Sequence, residues 1–218
     1  SDVYKRQLYY TSISVNAKVG DSKISGDINL DFKGYAALKA RNIIATEKEE
    51  TLMDYYLNTH KGVEGKTKQI ENFDNKNLPL NVSLDFNYPD GFQYVDSLLV
   101  LEPGKILDIF ENPFTAESRN IPVEMNYGRQ IKVVYNITLP SNYYPENLPE
   151  PKSFIMNGGA AIANTVYSFS DNILQIKAVL RTNKLVYEIV EYDDLKKAYN
   201  TFINSNLASI AFSKKQNN

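Results

Sequence analysis

Ile24-Ser25-Gly26-Asp27-Ile28-Asn29-Leu30-Asp31-Phe32 alternates two kinds of residue over nine positions, with Gly26 falling in the apolar register. A strand turns successive side chains to opposite faces, so this spacing predicts a β-strand with one buried and one wet face. Working backward, Val19-Gly20-Asp21-Ser22 supplies turn chemistry. Before it, Thr11, Ile13, Val15 and Ala17 alternate along a preceding strand, which completes a β-hairpin. Working forward, Gly34 ends the strand and the period changes. Ala37, Ala40, Arg41 and Ile44 share one face of a short helix. Thr46 and Glu49 stand at capping-box spacing, so a second helix is expected from near Glu47. Leu52, Met53, Tyr56 and Leu57 form its apolar stripe, and Lys61-Gly62 ends it.

Beyond Val63 the pattern is mostly β. Leu80, Val82, Leu84, Phe86 and Tyr88 alternate up to the turn at Pro89-Asp90-Gly91. Residues 94–101 predict another strand, broken by Pro103-Gly104, while residues 106–110 are apolar but too short to assign by period. Val123, Met125 and Tyr127 alternate, as do Ile131, Val133, Tyr135, Ile137 and Leu139. The proline-rich stretch 140–151 predicts an exposed, non-helical loop. Strands are expected over 154–156, 161–169, 173–180 and 208–212. Leu195, Ala198, Tyr199, Phe202 and Ile203 fall at helical spacing, with Asp193 and Asp194 at the positive end of the helix dipole. The fold class is therefore mainly β (α+β). It has a β-sandwich-like C-terminal domain with a terminal helix, preceded by a β-hairpin, two helices and further strands. A soft boundary falls near Asn112, dividing residues 8–111 from residues 112–215.

Composition narrows the function classes. The 218 residues carry 24 Lys+Arg and 26 Asp+Glu, a formal net charge of −2, which argues against electrostatic binding of nucleic acid or an anionic membrane. Cysteine is absent, so the chain holds no disulfide, thiolate metal site or cysteine nucleophile. One histidine, His60, excludes a two-histidine metal site. No apolar run approaches the roughly 18–20 residues that span a bilayer. Abundant asparagine, and lysine in excess of arginine, fit an AT-rich bacterial genome. Residues 1–7, Ser-Asp-Val-Tyr-Lys-Arg-Gln, resemble the in-frame translation of a transposase-type sequencing-library adaptor. They are set apart from the fold as an artefact, with the expectation that the natural N-terminus lies upstream in a metagenomic fragment.

The chemistry-bearing residues assemble no catalytic constellation. His60 sits at a helix end, as a dipole partner does. Asp193-Asp194 and Glu49-Glu50 are adjacent on helices, where neighbours do not face each other. Catalysis by such carboxylates needs two of them converging at about 5–10 Å in a cleft. Asp27, Asn29 and Asp31 are the wet face of a strand and lack the glycine and final glutamate of a calcium loop. Gly158-Gly159 lacks the Lys-Ser/Thr of a phosphate loop. No catalytic, cofactor-binding or metal-ligating residue is assigned, and no cofactor is expected. The 16 tyrosines and 10 phenylalanines leave room for a glycan-stacking face, although alternating aromatics more often fill cores.

Four blocks carry a resemblance. Asn112-Pro113-Phe114, Glu117, Arg119, Ile121-Pro122-Val123 and Tyr127 form an "NPF…E.R..PV…Y" pattern. Leu139-Pro140, Tyr143, Glu146 and Leu148-Pro149 follow as "lP..y..E.LP". Tyr192, Leu195-Lys196 and Tyr199 read "Y..LK.FY", with residues 210–215 as the final strand of that block. Gly26, Gly34-Tyr35-Ala36-Ala37 and Arg41 read "G…G.aA..R" upstream. Together they resemble, over residues 8–215, the C-terminal region of bacterial transglutaminase-like proteins with flanking β-domains of unknown function. Glu124 stands where that family often has Asp, and Phe212 where it often has Leu.

The resemblance implies a truncated, exported protein, periplasmic or extracellular in a Gram-negative bacterium. Its papain-fold Cys-His-Asp core would lie upstream. This chain would be the non-catalytic portion that packs on that core, with no ligand identified. Asn112, Pro113, Phe114, Glu117, Arg119, Pro122, Val123, Tyr127, Leu148, Pro149, Tyr192, Leu195 and Tyr199 are then structural motif residues. Asn-Pro-Phe is expected to be a turn followed by a buried anchor. Arg119 is expected to pair with Glu117 or clamp carbonyls, with a ligand role as the alternative. The rival function is a stand-alone β-sandwich module binding glycan or protein, which predicts exposed Tyr or Phe on one sheet face.

Overall fold

The alternation at Ile24 to Phe32 does form a strand, and it lies inside the larger of two main sheets. The computed structural model describes residues 8–215. The adaptor-like reading of residues 1–7 lies outside the described residues. β1 (Tyr9–Val19) and β2 (Ile24–Gly34) form the hairpin, with Ala17 opposite Gly26 and Tyr9 opposite Gly34. A Cβ on Gly26 would lie 2.0 Å from the Asn16 carbonyl oxygen, so only glycine fits this register. Gly34 has φ 59°, which lets the chain switch directly from β2 into helix α1 (Tyr35–Thr46).

Helix α2 is shorter than its pattern predicts. It spans Glu49–Asp54, leaving Tyr56 and Leu57 beyond its end. The expected capping box does not form: Lys48 at φ 100° precedes the helix, and the Thr46 hydroxyl donates back to the Asn42 carbonyl at 2.8 Å. His60 is exposed, in a 3-10 turn over Thr59–Lys61.

Four further strands follow. β3 (Glu64–Glu71) and β4 (Leu80–Tyr88) join the large sheet, and β5 (Phe92–Val95) pairs with β6 (Leu98–Leu101). The 94–101 stretch is therefore a hairpin arm and its partner, because Asp96 takes φ 54° and turns the chain. Pro103–Ile106 is a buried 3-10 turn, and Leu107 bridges to Leu57. The 123–127 alternation yields a two-residue strand, β7 (Val123–Glu124).

β8 (Arg129–Thr138) returns to the large sheet. β9 (Tyr143–Pro145) lies inside the expected 140–151 loop, since it pairs with the final strand. β10 (Lys152–Ile155), β11 (Ala161–Ser170), β12 (Ile173–Thr182) and β13 (Val186–Tyr187) lead to α3 (Tyr192–Asn206) and β14 (Ile210–Lys214). Glu188 and Glu191 make a capping box on the 3-10 turn ahead of α3, and Lys184 reaches Glu191 at 2.6 Å.

The large sheet has eight strands in the order β10-β11-β12-β8-β1-β2-β4-β3. All its pairings are antiparallel except β1 with β8, which run parallel with Tyr9 opposite Arg129. The expected boundary near Asn112 coincides with no break in this sheet, because β1 and β8 lie on either side of it in sequence and adjacent in space. A four-stranded sheet, β5-β6-β14-β9, and the pair β13-β7 complete the β-structure.

One face of the large sheet is the core. Ile13, Val15, Ile28, Leu30, Phe32, Leu84, Val133, Tyr135, Leu174 and Ile176 are all buried. The helices and the small sheet cover this face: Phe212 of β14 meets Phe169 of β11 at 5.9 Å, and Thr165 of β11 shares a 2.6 Å hydrogen bond with Ser205 of α3. The other face is polar. Gln175 donates to Asn136, which donates to Asn16, and Ser83 donates to Asn29. Lys68 lies 2.7 Å from Asp27 and 3.2 Å from Asp85, and it holds the Asp27 carboxyl below its usual range. The edge strand β3 carries this lysine and a bulge between Thr67 and Gln69, two features that discourage edge pairing.

Candidate functional site

Two groups of side chains hold more organisation than the core requires. The first joins the Asn-Pro-Phe block to α3. The Asn112 side chain accepts from the Phe114 amide at 2.8 Å, which makes the turn. Its amide nitrogen donates to the Lys196 carbonyl at 3.2 Å and to the Asn200 side chain at 2.7 Å. Phe114 is thereby set, buried, between two tyrosines of α3, edge-on to Tyr192 at 6.1 Å and to Tyr199 at 5.0 Å. The Tyr192 hydroxyl and the Lys196 ammonium both donate to the Ala116 carbonyl at 2.9 Å.

Arg119 differs from its expected role. No ion pair joins it to Glu117 among the described residues, and its guanidinium lies over the Tyr192 ring at 5.5 Å. Glu117 is exposed. A neighbouring ring, not a neighbouring carboxylate, therefore holds this arginine. Asn112, Phe114, Arg119, Tyr192 and Tyr199 meet in one clasp, and Leu195 is buried on the same helix. The other motif residues serve elsewhere. Val123 is buried in β7 opposite Tyr187, with half-buried Pro122 before it. Leu148 packs on the core beside half-buried Pro149, and Pro113 is exposed.

A carbonyl clamp, one of the two structural roles expected of Arg119, is made by Arg41 of α1. Arg41 is buried and donates to the carbonyls of Asn72, Phe73, Asn75 and Leu78 at 2.8–3.0 Å. It stitches the 72–78 loop to the helix. The upstream motif thus acquires a physical account: Gly26 for close approach, Gly34 for the strand-to-helix switch, Ala36 and Ala37 buried on the sheet, and Arg41 for the loop.

The second group stands where β1 and β8 begin. Tyr9, Thr11 and Ile13 share the inward register of β1, as do Arg129, Ile131 and Val133 in β8. At this end the core opens. Tyr127 stacks on Tyr9 at 5.0 Å and on Tyr35 at 5.5 Å. Arg129 lies over the Tyr9 ring at 5.4 Å. Burial pushes the Tyr9, Tyr56 and Tyr199 hydroxyls up, while the Arg129 charge pulls each of them back. A pocket of about 190 Å³ is walled by Tyr9, Lys39, Tyr55, Tyr56, Asp108 and Arg129. It adjoins a shallower one of about 460 Å³, lined by Tyr9, Tyr35, Leu38, Lys39, Asn42 and Tyr127.

Sequence reasoning named Tyr35, Tyr56, Tyr127 and Tyr199 in separate patterns but did not bring them together, and it missed Tyr9, Lys39 and Arg129. The available signal was Arg129, a charged residue at the start of the otherwise apolar inward register of β8, which continues as Ile131, Val133, Tyr135 and Ile137. Among the described residues the exposed aromatics divide: Tyr35 and Tyr55 lie at this end of the large sheet, whose open face is polar, while Tyr94 and Tyr144 lie on β5 and β9 of the small sheet.

Among the described residues, no group of three or more His, Cys, Asp or Glu side chains is placed to hold a metal ion. No helix among them is long and apolar enough to cross a membrane. Asp193 and Asp194 are exposed side by side in the first turn of α3.

Residues 96–212, more than half of the chain, match the family described as a "Domain of Unknown Function with solved-structure structure", DUF3858. The match begins at the β5–β6 turn, ahead of the boundary expected near Asn112. Its first strand, β6, pairs with its last, β14, which closes the matched region. No curated protein matches the chain. A solved structure from Parabacteroides distasonis ATCC 8503, described as a "putative protease", is similar over 45% of this chain at 14% identity and a TM-score of 0.40. The chain spans 19% of that protein's length.

Proposed function

The chain belongs to the DUF3858 family, and from that membership we propose that it is a non-catalytic β-domain of a larger, exported transglutaminase-like protein, structural or accessory to a papain-fold core. The clasp carries this reading. Asn112 and Tyr192 spend their polar groups on backbone and neighbouring side chains, and Phe114, Tyr192, Tyr199 and Arg119 pack face or edge on one another, as a packing motif does. The order of the sequence blocks supports the family context, and the absence of cysteine places any thiol chemistry outside this chain. Periplasmic or extracellular location belongs to the same proposal. Reading the genomic frame upstream of the Leu8 codon tests it. A signal peptide followed by a Cys…His…Asp domain is the expected result, and a frame without such a domain overturns the proposal.

A second reading has its own observation. The stacked Tyr9, Tyr127 and Tyr35, with Tyr35 40% exposed, favour a module that also binds a ligand.

A further inference from the structure

The chain treats its two inward-facing arginines differently. Arg41 donates to four carbonyls. Arg129 makes no ion pair among the described residues, and its Nε is buried with no hydrogen-bond partner. The side chain as a whole is half-buried, lies over Tyr9 and approaches the Tyr199 hydroxyl, but leaving its Nε–H buried and unpaired is costly, and folds rarely tolerate such a donor without a use. The surroundings suit an anion. Lys39 lines the same pocket, and hydroxyl-bearing rings flank the guanidinium. Asp108 is the acidic member of the lining, and it pairs with neither Lys39 nor Arg129.

The size and shape of the two depressions divide the ligand into parts. The 190 Å³ pocket beside Arg129 has room for a small polar group. The shallower depression outside it offers the Tyr35 and Tyr127 rings and Leu38, a platform for a flat or cyclic body. The two share Tyr9 and Lys39, so one ligand can occupy both. A guanidinium presents a planar fork that matches a carboxylate.

We propose that the cleft where β1, α1 and β8 meet binds a carboxylate carried on a ring, with Arg129 and Lys39 holding the carboxylate and the tyrosine platform holding the ring. This deepens the binding-module reading and rests on it. Two sources share the chemistry, a uronic acid of a glycan and an aromatic carboxylic acid, and the test separates them.

Glucuronate, benzoate and neutral glucose are titrated into the 15N-labelled full chain and followed by amide chemical shifts. Glucuronate or benzoate is expected to move the amides around Tyr9, Lys39 and Arg129, and the tighter of the two identifies the ring. Arg129→Met is expected to weaken that binding about tenfold to a hundredfold, the loss of a charge-assisted hydrogen bond. Its Tm should change little, because the half-buried side chain gives up its contacts to Tyr9 and Tyr199 together with the cost of an unpaired Nε–H. Exposed Lys39, replaced in Lys39→Met, keeps the fold and is expected to weaken binding to a smaller degree. Glucose binding as tightly as glucuronate overturns the carboxylate assignment while leaving a binding module. No response to any of the three probes overturns both. A sharp fall in Tm for Arg129→Met, or unchanged binding in both variants, assigns Arg129 to packing and overturns the inference.

Discussion

Arg41, Arg119 and Arg129 sit in three different environments, and each side chain answers its own with a different contact. Arg41 uses its fork on carbonyls, Arg119 uses its flat face on Tyr192, and Arg129 stacks on Tyr9 with its Nε unspent. Arg41→Ala leaves four loop carbonyls without their shared donor, and it should cost about 3 kcal/mol in urea unfolding. Arg41→Lys should recover little of it, since a single ammonium cannot reproduce a rigid fork. A midpoint unchanged in both variants would show that water replaces the clamp. Arg41 was visible in the sequence as a member of an apolar helical face. That it clamps residues 72–78 was not, because its acceptors are backbone oxygens more than thirty positions away and carry no residue signature.

Periodicity served the long elements and failed the short ones. β1, β2, β4, β8, β11, β12 and α3 each run nine residues or more and appear where their alternation or helical spacing predicts. α2, β7 and β9 do not, because a few residues of pattern weigh less than one tertiary hydrogen bond. A local bond can do the same: the Thr46 hydroxyl donates to the Asn42 carbonyl within α1 and accepts from no amide of the helix it was expected to cap. The clasp is the element-scale feature with the largest single dependence. Phe114 is buried between Tyr192 and Tyr199, so Phe114→Ala should destabilise the chain by about 3 kcal/mol or more. Amide hydrogen exchange in α3 should rise with it. Unchanged protection in α3 would mean that the helix is held by the sheet alone. The sequence foretold a turn and a buried anchor at Asn-Pro-Phe. It could not name the surface that receives the anchor, which lies nearly eighty residues downstream.

At the scale of the whole molecule, the parallel pairing of β1 with β8 governs behaviour. The two strands share ten register positions, from Tyr9↔Arg129 to Lys18↔Thr138, and join the regions before and after Asn112 in one sheet. The full chain should therefore unfold in one step, with tyrosine fluorescence and far-UV circular dichroism giving coincident urea transitions. Two resolved transitions would show that the regions are independent units despite the shared sheet. Folding should also be slow for the chain's size, since the central pair closes a loop of about 120 residues before it gains its contacts.

The mainly β class, the hairpin and the terminal helix follow from local alternation, since a strand or helix must bury whichever face is apolar. Composition likewise limits the chemistry, with no thiol and a single imidazole. The neighbours of each strand belong to another order of information. Nothing in residues 9–19 or 129–138 names the other as a partner, and the clasp and the Arg129 cleft both depend on which distant segments meet. Long-range pairing is settled by the burial of one common core, a property of the folded chain as a whole and of no window within it.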